Sequence, residues 1–283
     1  MKKQYLLLLL IPLLMSSCNK PAPANDPYKL IWSDEFSGTS LNEANWSYMT
    51  GNGAEYGNPG WGNSELEYYK KENVSVRDGE LHITAKKEQV GDFHYTSARI
   101  RTAGKVSFKY GKIEARIKLP AARAMWPAFW MLPEDFQVYG AWPHCGEIDI
   151  MEANGGSPQV STAALHYSTS NGQHTYVTGA KGYGGRGQQG SIADYHIYGV
   201  IWDVDQFEFY VDDSIILTVP RRTWSTAAVS KETNPNAPFD KEFHILLNMA
   251  VGGNYVNNNE PDSDFTEADM IVDYIRVYQY EGE

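Results

Sequence analysis

Apolar and polar residues alternate with a period of two along much of this chain. Val106, Phe108 and Tyr110 alternate with Lys105, Ser107 and Lys109; past Gly111, Ile113, Ala115, Ile117 and Leu119 alternate with Lys112, Glu114, Arg116 and Lys118. One face is apolar and the other charged, as in a half-buried antiparallel strand. Phe207, Phe209 and Val211 repeat the pattern, and Asp212-Asp213 then turns the chain into Ser214–Val219. Further strands are expected at Leu30–Phe36, Gly79–Lys86, Ser97–Thr102, Gly146–Glu152, Ala163–Tyr167, His196–Trp202, Phe243–Ala250 and Met270–Tyr280. No stretch reads as an amphipathic helix of about 12 or more residues. Many strands with turn signals between them predict an all-β chain, a sandwich or jelly roll.

The ends of the chain break the pattern. Lys2 and Lys3 precede an apolar run from Tyr5 to Met15, then Ser16-Ser17-Cys18. The run is too short to span a bilayer comfortably and reads as an export signal, residues 1–17. A Cys directly after small residues resembles a bacterial lipobox, which would make Cys18 the lipidated first residue of the mature chain; an ordinary secretory signal is the alternative. Residues 18–29, rich in Pro, Ala and Asn, read as a tether. Residues 30–283 show no second linker and no repeat, which predicts one domain, expected to be monomeric. The other cysteine, Cys145, then has no partner within the chain, and a buried structural thiol is expected.

The 283 residues carry 24 Lys and Arg against 35 Asp and Glu, a net charge of −11. Removing residues 1–17 takes two lysines and no acid, leaving −13. With no basic surplus to neutralise phosphates, nucleic acid is excluded as a partner. Aromatics make up 13% of the chain, more than strands and turns alone require.

The chemistry concentrates in Gly146-Glu147-Ile148-Asp149-Ile150-Met151-Glu152. Three acids interrupt an apolar, strand-forming run, where carboxylates are costly unless paired, hydrogen-bonded or protonated. On a regular strand Glu147 and Asp149 share one face, while Ile148 and Ile150 fill the other. Glu152 is out of phase by one, and a one-residue bulge near Ile150-Met151 would return it to the Glu147 face. The two Glu would then stand four effective steps apart, ~13 Å along the strand. Side chains leaning together would bring the carboxyls to roughly 5–6 Å, the spacing of a retaining glycosidase. Asp149 between them would disfavour ionisation of all three, keeping a proton for acid catalysis. A solvated face with three acids is the plain alternative. Trp126, Trp130 and Trp142 lie close to this strand in sequence and offer flat faces to sugar rings, whereas Trp32, Trp46 and Trp202 are expected in the core.

These residues resemble glycoside hydrolase family 16, in particular its laminarinase-like β-glucanases. The E-x-D-x-x-E strand matches the bulged form of that family's signature. So do Trp32-Ser33-Asp34-Glu35-Phe36, Asn63-Ser64-Glu65-Leu66-Glu67-Tyr68-Tyr69, Thr96-Ser97-Ala98-Arg99-Ile100 and Tyr110-Gly111-Lys112-Ile113-Glu114-Ala115-Arg116. Further along, the segments 126–132, 248–254 and 272–278 are similar as well. The resemblance implies a jelly roll of two curved antiparallel sheets with a concave substrate cleft. It implies endo-hydrolysis of β-1,3- or mixed β-1,3/1,4-glucan with retention. Glu147 would be the nucleophile, Glu152 the acid and base, and Asp149 their tuner. His166 would line the cleft near the departing sugar, and Asn63 and Arg99 would contact sugar hydroxyls on the donor side. No cofactor is implied for catalysis. A structural calcium is implied at Glu35, Gly79 and Asp273, where solvated turns explain the residues equally.

Two departures bear on specificity. Ala121-Ala122-Arg123-Ala124 stands where many relatives are Gly-rich, and the polar, Gly-rich stretch 171–192 is expected to form a cleft loop. A galactanase of the same fold, agarase- or carrageenase-like, and a non-catalytic glycan-binding lipoprotein are the competing readings. The second predicts loss of a catalytic acid, and all three are present. A metalloenzyme is disfavoured by the absence of ligand spacing among the seven His residues. Asn19 after the Cys lacks the Asp that commonly signals inner-membrane retention, so an outer-membrane or surface location is expected.

Overall fold

A computed structural model describes residues 27–184 and 190–281. Within them lie seventeen strands and four short 3-10 turns. In chain order the strands are β1 (Tyr28–Asp34), β2 (Ser47–Met49), β3 (Glu67–Tyr69), β4 (Val74–Arg77), β5 (Glu80–Val90), β6 (Phe93–Ser97), β7 (Arg99–Arg101), β8 (Gly111–Lys118) and β9 (Met125–Pro133). They continue with β10 (Glu147–Ala153), β11 (Val160–Ser168), β12 (His174–Gly182), β13 (His196–Trp202), β14 (Gln206–Val211), β15 (Ser214–Pro220), β16 (Phe243–Val251) and β17 (Glu267–Tyr280).

Two sheets form. The larger runs β15-β14-β13-β8-β17-β5-β6-β3, with β1 also on β17 and β4 on β5; the smaller runs β12-β11-β10-β9-β16-β7-β2. All pairings are antiparallel except β3 with β6. Ile113, Ala115 and Ile117 of β8, with Val200 of β13 and Ile275 and Val277 of β17, meet Ile148, Phe129, Met131, Leu165, Ile245 and Leu247 of the smaller sheet in one core. Each such large side chain contributes roughly 1.5–3 kcal/mol when fully buried. Trp46 and Trp202 are fully buried and Trp32 packs against the same core, as expected. Cys145 is buried too, and that burial pushes its thiol up to about 12.

Three expectations need correction. Val106–Tyr110 is not a strand: Phe108 makes one isolated bridge with Phe243, and Tyr110 turns through a positive φ of 63° into β8. The folded domain begins earlier than expected, because Tyr28 and Lys29 already pair with Tyr280 and Gln279 of β17. The stretch 171–192 is not simply a loop. His174–Gly182 forms β12, whose residues alternate strictly between exposed and half-buried positions. Its half-buried side is Thr175, Val177, Gly179 and Lys181, of which only Val177 packs on the core, and β12 is the edge of its sheet. Gly179 packs on the Ile216 backbone, where a Cβ would lie 2.4 Å from the carbonyl oxygen. The expected export signal 1–17, Cys18 and the expected tether up to residue 26 lie outside the described residues, as do residues 185–189 of that stretch.

Candidate active site

Gly146 turns the chain into strand β10; its φ is 79°, and a Cβ there would meet the Phe239 ring at 2.6 Å. Only glycine turns the chain there without strain. The strand then pairs Glu147 with His166 and Asp149 with both Ala164 and Trp130; Glu152 pairs with Thr162 and Ala128. The register shifts between Asp149 and Met151 against β9, and between Asp149 and Glu152 against β11. This is the bulge the phase of the acids required. Ile150 and Met151 both drop into the core, and Glu152 returns to the face of Glu147 and Asp149.

The environment of the three acids favours their protonated forms. Burial, then the Asp149 charge, raises Glu147 well above the usual carboxylate range, against the pull of His166 and Arg99. Burial pushes Asp149 up to about 8. Burial and Asp149 push Glu152 up to about 8, opposed by the Trp126 indole N–H, which donates to Glu152 Oε1 at 2.9 Å. Asp149 Oδ2 lies 3.1 Å from His166 Nε2. Oxygens of Glu147 and Asp149 and a ring nitrogen of His166 all lie within 4.8 Å of one another. Crowded carboxylates that cannot all ionise are the physical basis for one acid and one nucleophile in a single site.

The cleft has two unlike walls. On the β9-β16-β7 side, the Arg99 guanidinium sits between the rings of Trp61 at 4.4 Å and Trp130 at 4.7 Å. Trp130 Nε1 donates to Asn248 at 2.7 Å, and Asn248 Nδ2 donates to the Tyr69 hydroxyl at 3.2 Å. Tyr69 in turn donates to Glu65 at 3.0 Å, which also accepts from Asn63 Nδ2 at 3.2 Å. Behind it, wholly buried Glu67 accepts the Val251 N–H at 2.7 Å. Burial and then the Glu65 charge raise Glu67 well above the usual carboxylate range.

On the β11-β12 side the groups are rings. Trp142 lies 4.5 Å from His174 and 6.5 Å from His166, and His166 stacks on Tyr176 at 5.1 Å. Trp142 is 45% exposed and Tyr176 55%, so this wall is open to solvent.

Asn63, Arg99, Trp130, Trp142 and His166 therefore all flank the acidic strand. Trp126 does so differently: its N–H is spent on Glu152 and its ring stacks on Tyr255 at 5.0 Å. Trp61, Glu65, Glu67, Tyr69, Asn248, His174, Tyr176 and Tyr255 were not singled out as site residues. Segments 63–69 and 248–254 did carry a signal for four of them, Glu65, Glu67, Tyr69 and Asn248. His174 and Tyr176 carried none, because they sit in the stretch read as a loop.

The calcium positions lie on the other sheet. Glu35 follows β1 and Gly79 precedes β5, so both flank β17 near Asp273, at its shift in register. The Asp273 carboxylate accepts from Arg116 at 2.6 Å, and both Glu35 oxygens hold Arg276, at 2.9 and 2.8 Å. Calcium there would use backbone carbonyls and share Asp273 with Arg116.

Residues 30–280 match the family model described as beta-porphyranase A-D, GH16 domain. A glucan endo-1,3-beta-glucosidase A1 of Niallia circulans is 39% identical over 91% of this chain, which spans only 39% of that protein. A beta-glucanase of Rhodothermus marinus is 38% identical over 89% of this chain and 86% of its own length. Among solved structures, the laminarinase catalytic domain of Thermotoga maritima superposes with a TM-score of 0.79 at 39% identity, covering 90% of this chain and 99% of that one. With two antiparallel sheets, a bulged E-x-D-x-x-E strand on the cleft face and these matches across the whole described fold, the chain belongs to glycoside hydrolase family 16.

Proposed function

We propose that the protein is a retaining endo-hydrolase of β-glucan, acting on β-1,3- or mixed β-1,3/1,4-linkages. The bulge that sets Glu147, Asp149 and Glu152 on one face carries this reading. Glu147 attacks the anomeric carbon while Glu152, protonated, gives its proton to the leaving oxygen. Glu152 then takes a proton from water as the glycosyl-enzyme is hydrolysed. Ionised Glu147 is favoured by Arg99 and His166, and protonated Glu152 by burial. Asn63 and Arg99 serve sugar hydroxyls on the donor side, and Trp142 and His166 the departing chain. Similarity to proteins named as glucanases supports glucan as the substrate.

A galactan is the second reading. It is favoured by the porphyranase description of the matching model and by 33% identity to a keratan-sulfate endo-1,4-beta-galactosidase of Sphingobacterium multivorum. Product profiles on laminarin, barley mixed-linkage glucan and agarose separate the two. Activity on agarose alone would overturn the glucan reading.

The lipobox supports export and lipidation at Cys18, with an outer-membrane or surface location for a monomeric enzyme. Cys18→Ala should move the protein from the membrane to the soluble fraction. A structural calcium at Glu35, Gly79 and Asp273 would act on stability alone, and a calcium-dependent rise in melting temperature tests it.

A further inference from the structure

Asp149 is 4% exposed, and its Oδ2 is buried without a hydrogen-bond partner. That oxygen lies 3.1 Å from His166 Nε2. A carboxylate oxygen and an imidazole nitrogen thus converge with no hydrogen bond between them. A Glu147 oxygen completes the group, and all three atoms lie within 4.8 Å of one another. Two ligand atoms held about 2.1 Å from one ion at the tetrahedral angle stand about 3.4 Å apart. Asp149 and His166 are already near that spacing, and rotation of the Glu147 side chain closes the remainder. Glu147 and Asp149 share β10, and His166 stands opposite Glu147 on β11, so paired strands fix the three positions.

We infer that Glu147, Asp149 and His166 form a binding site for a divalent transition ion of the zinc class, and that the bound ion inhibits the enzyme. One nitrogen and two oxygen donors, with a fourth position open to water, suit zinc; calcium and magnesium take oxygen donors. Binding requires both acids as carboxylates and His166 as a neutral imidazole with its lone pair at Nε2. The ion therefore displaces the protons these groups hold in the metal-free protein, and they leave to solvent. Two carboxylates exceed in charge the Arg99 guanidinium that also acts on Glu147. With the ion on Nε2, the His166 N–H sits at Nδ1 and donates to His174 Nε2, 2.8 Å away. Such a partner behind a ligating imidazole orients the ring toward the metal. A Glu147 carboxylate held by zinc cannot attack an anomeric carbon. The inhibition thus rests on the role proposed above for Glu147, whereas the binding does not.

Zinc titration of the metal-stripped protein, followed by calorimetry, should show one equivalent bound. X-ray absorption at the zinc edge should show one imidazole with oxygen donors and no sulfur. His166→Phe and Asp149→Asn should each weaken binding more than about tenfold. Zinc should slow laminarin hydrolysis, and EDTA should restore the rate. Absence of a bound equivalent overturns the inference, as does unchanged affinity in either variant. Sulfur around the ion overturns it too, by placing the metal on a cysteine; this measurement uses the wild type and stands even if a variant fails to fold. Full activity with the site loaded overturns the inhibition. Binding is read without turnover, so its failure is distinguishable from absence of glucan hydrolysis.

Discussion

The two walls of the cleft flank the same acids and are built from different physics. The wall on β9, β16 and β7 is interlocked: Arg99 between two indoles, and a chain of hydrogen bonds from Trp130 through Asn248 and Tyr69 to Glu65. Most of its polar groups are buried, so each must keep a partner. The wall on β11 and β12 is a stack of exposed rings at the sheet edge. It loses little if one ring goes, because water can replace what is lost. The first wall couples binding to folding, and the second leaves binding free to vary.

Substitutions can break this comparison, starting at the strand between the walls. Glu147→Gln and Glu152→Gln should each lower kcat by about a thousandfold, read as reducing-sugar release from laminarin. Wild-type rates in either would make the assigned roles wrong. Arg99→Met should keep the side-chain stem between Trp61 and Trp130 but remove the charge that opposes protonation of Glu147. A loss of about a hundredfold in kcat/KM is expected. Asn248→Ala removes the acceptor of Trp130 Nε1 and one of the two partners of the Tyr69 hydroxyl, which keeps Glu65, and should cost about 1–3 kcal/mol in thermal or urea unfolding. An unchanged melting curve would mean that this wall is not interlocked.

The acids also tie pH to stability. The folded pKa of Glu152, about 8, lies above that of a free carboxylate. Between those values the native state binds more protons than the unfolded chain, so stability falls as pH rises through that window. Activity needing the Glu152 proton should decline above pH 8. Glu152→Gln removes the titration, so its advantage in melting temperature over the wild type should widen from pH 5 to 9. A constant difference would remove Glu152 as the source. The smallest effect is expected on the open wall: Trp142→Ala should raise KM several-fold with kcat and melting temperature nearly unchanged. A large fall in melting temperature would erase the contrast between the walls.

Much of this was legible along the chain. The two-residue period of Ile113, Ala115 and Ile117 placed β8, because inward and outward sides differ strongly in polarity. The phase error of Glu152 foretold the bulge, since burying it with Ile150 would strand a charge in the core. Trp126 was only half legible: its place near the acids could be read, but its hydrogen bond to Glu152 could not. β12 was missed because on this edge strand only Val177 packs on the core, and the Gly, Thr and Lys around it read as loop.

The sequence by itself determined strands such as β8, β10, β13 and β16, the acids that share a face and the need for a bulge, because each depends on neighbours within a few residues and on a period of two. Only the tertiary structure decided that Asn63, Glu65, Tyr69, Arg99, Trp130 and Asn248 form one wall, and that His174 reaches His166. Those contacts join strands that are distant in the chain and adjacent only through sheet order. Partner choice for a buried polar group is set by which donors and acceptors the packed sheets bring within about 3 Å, and no local pattern carries that information.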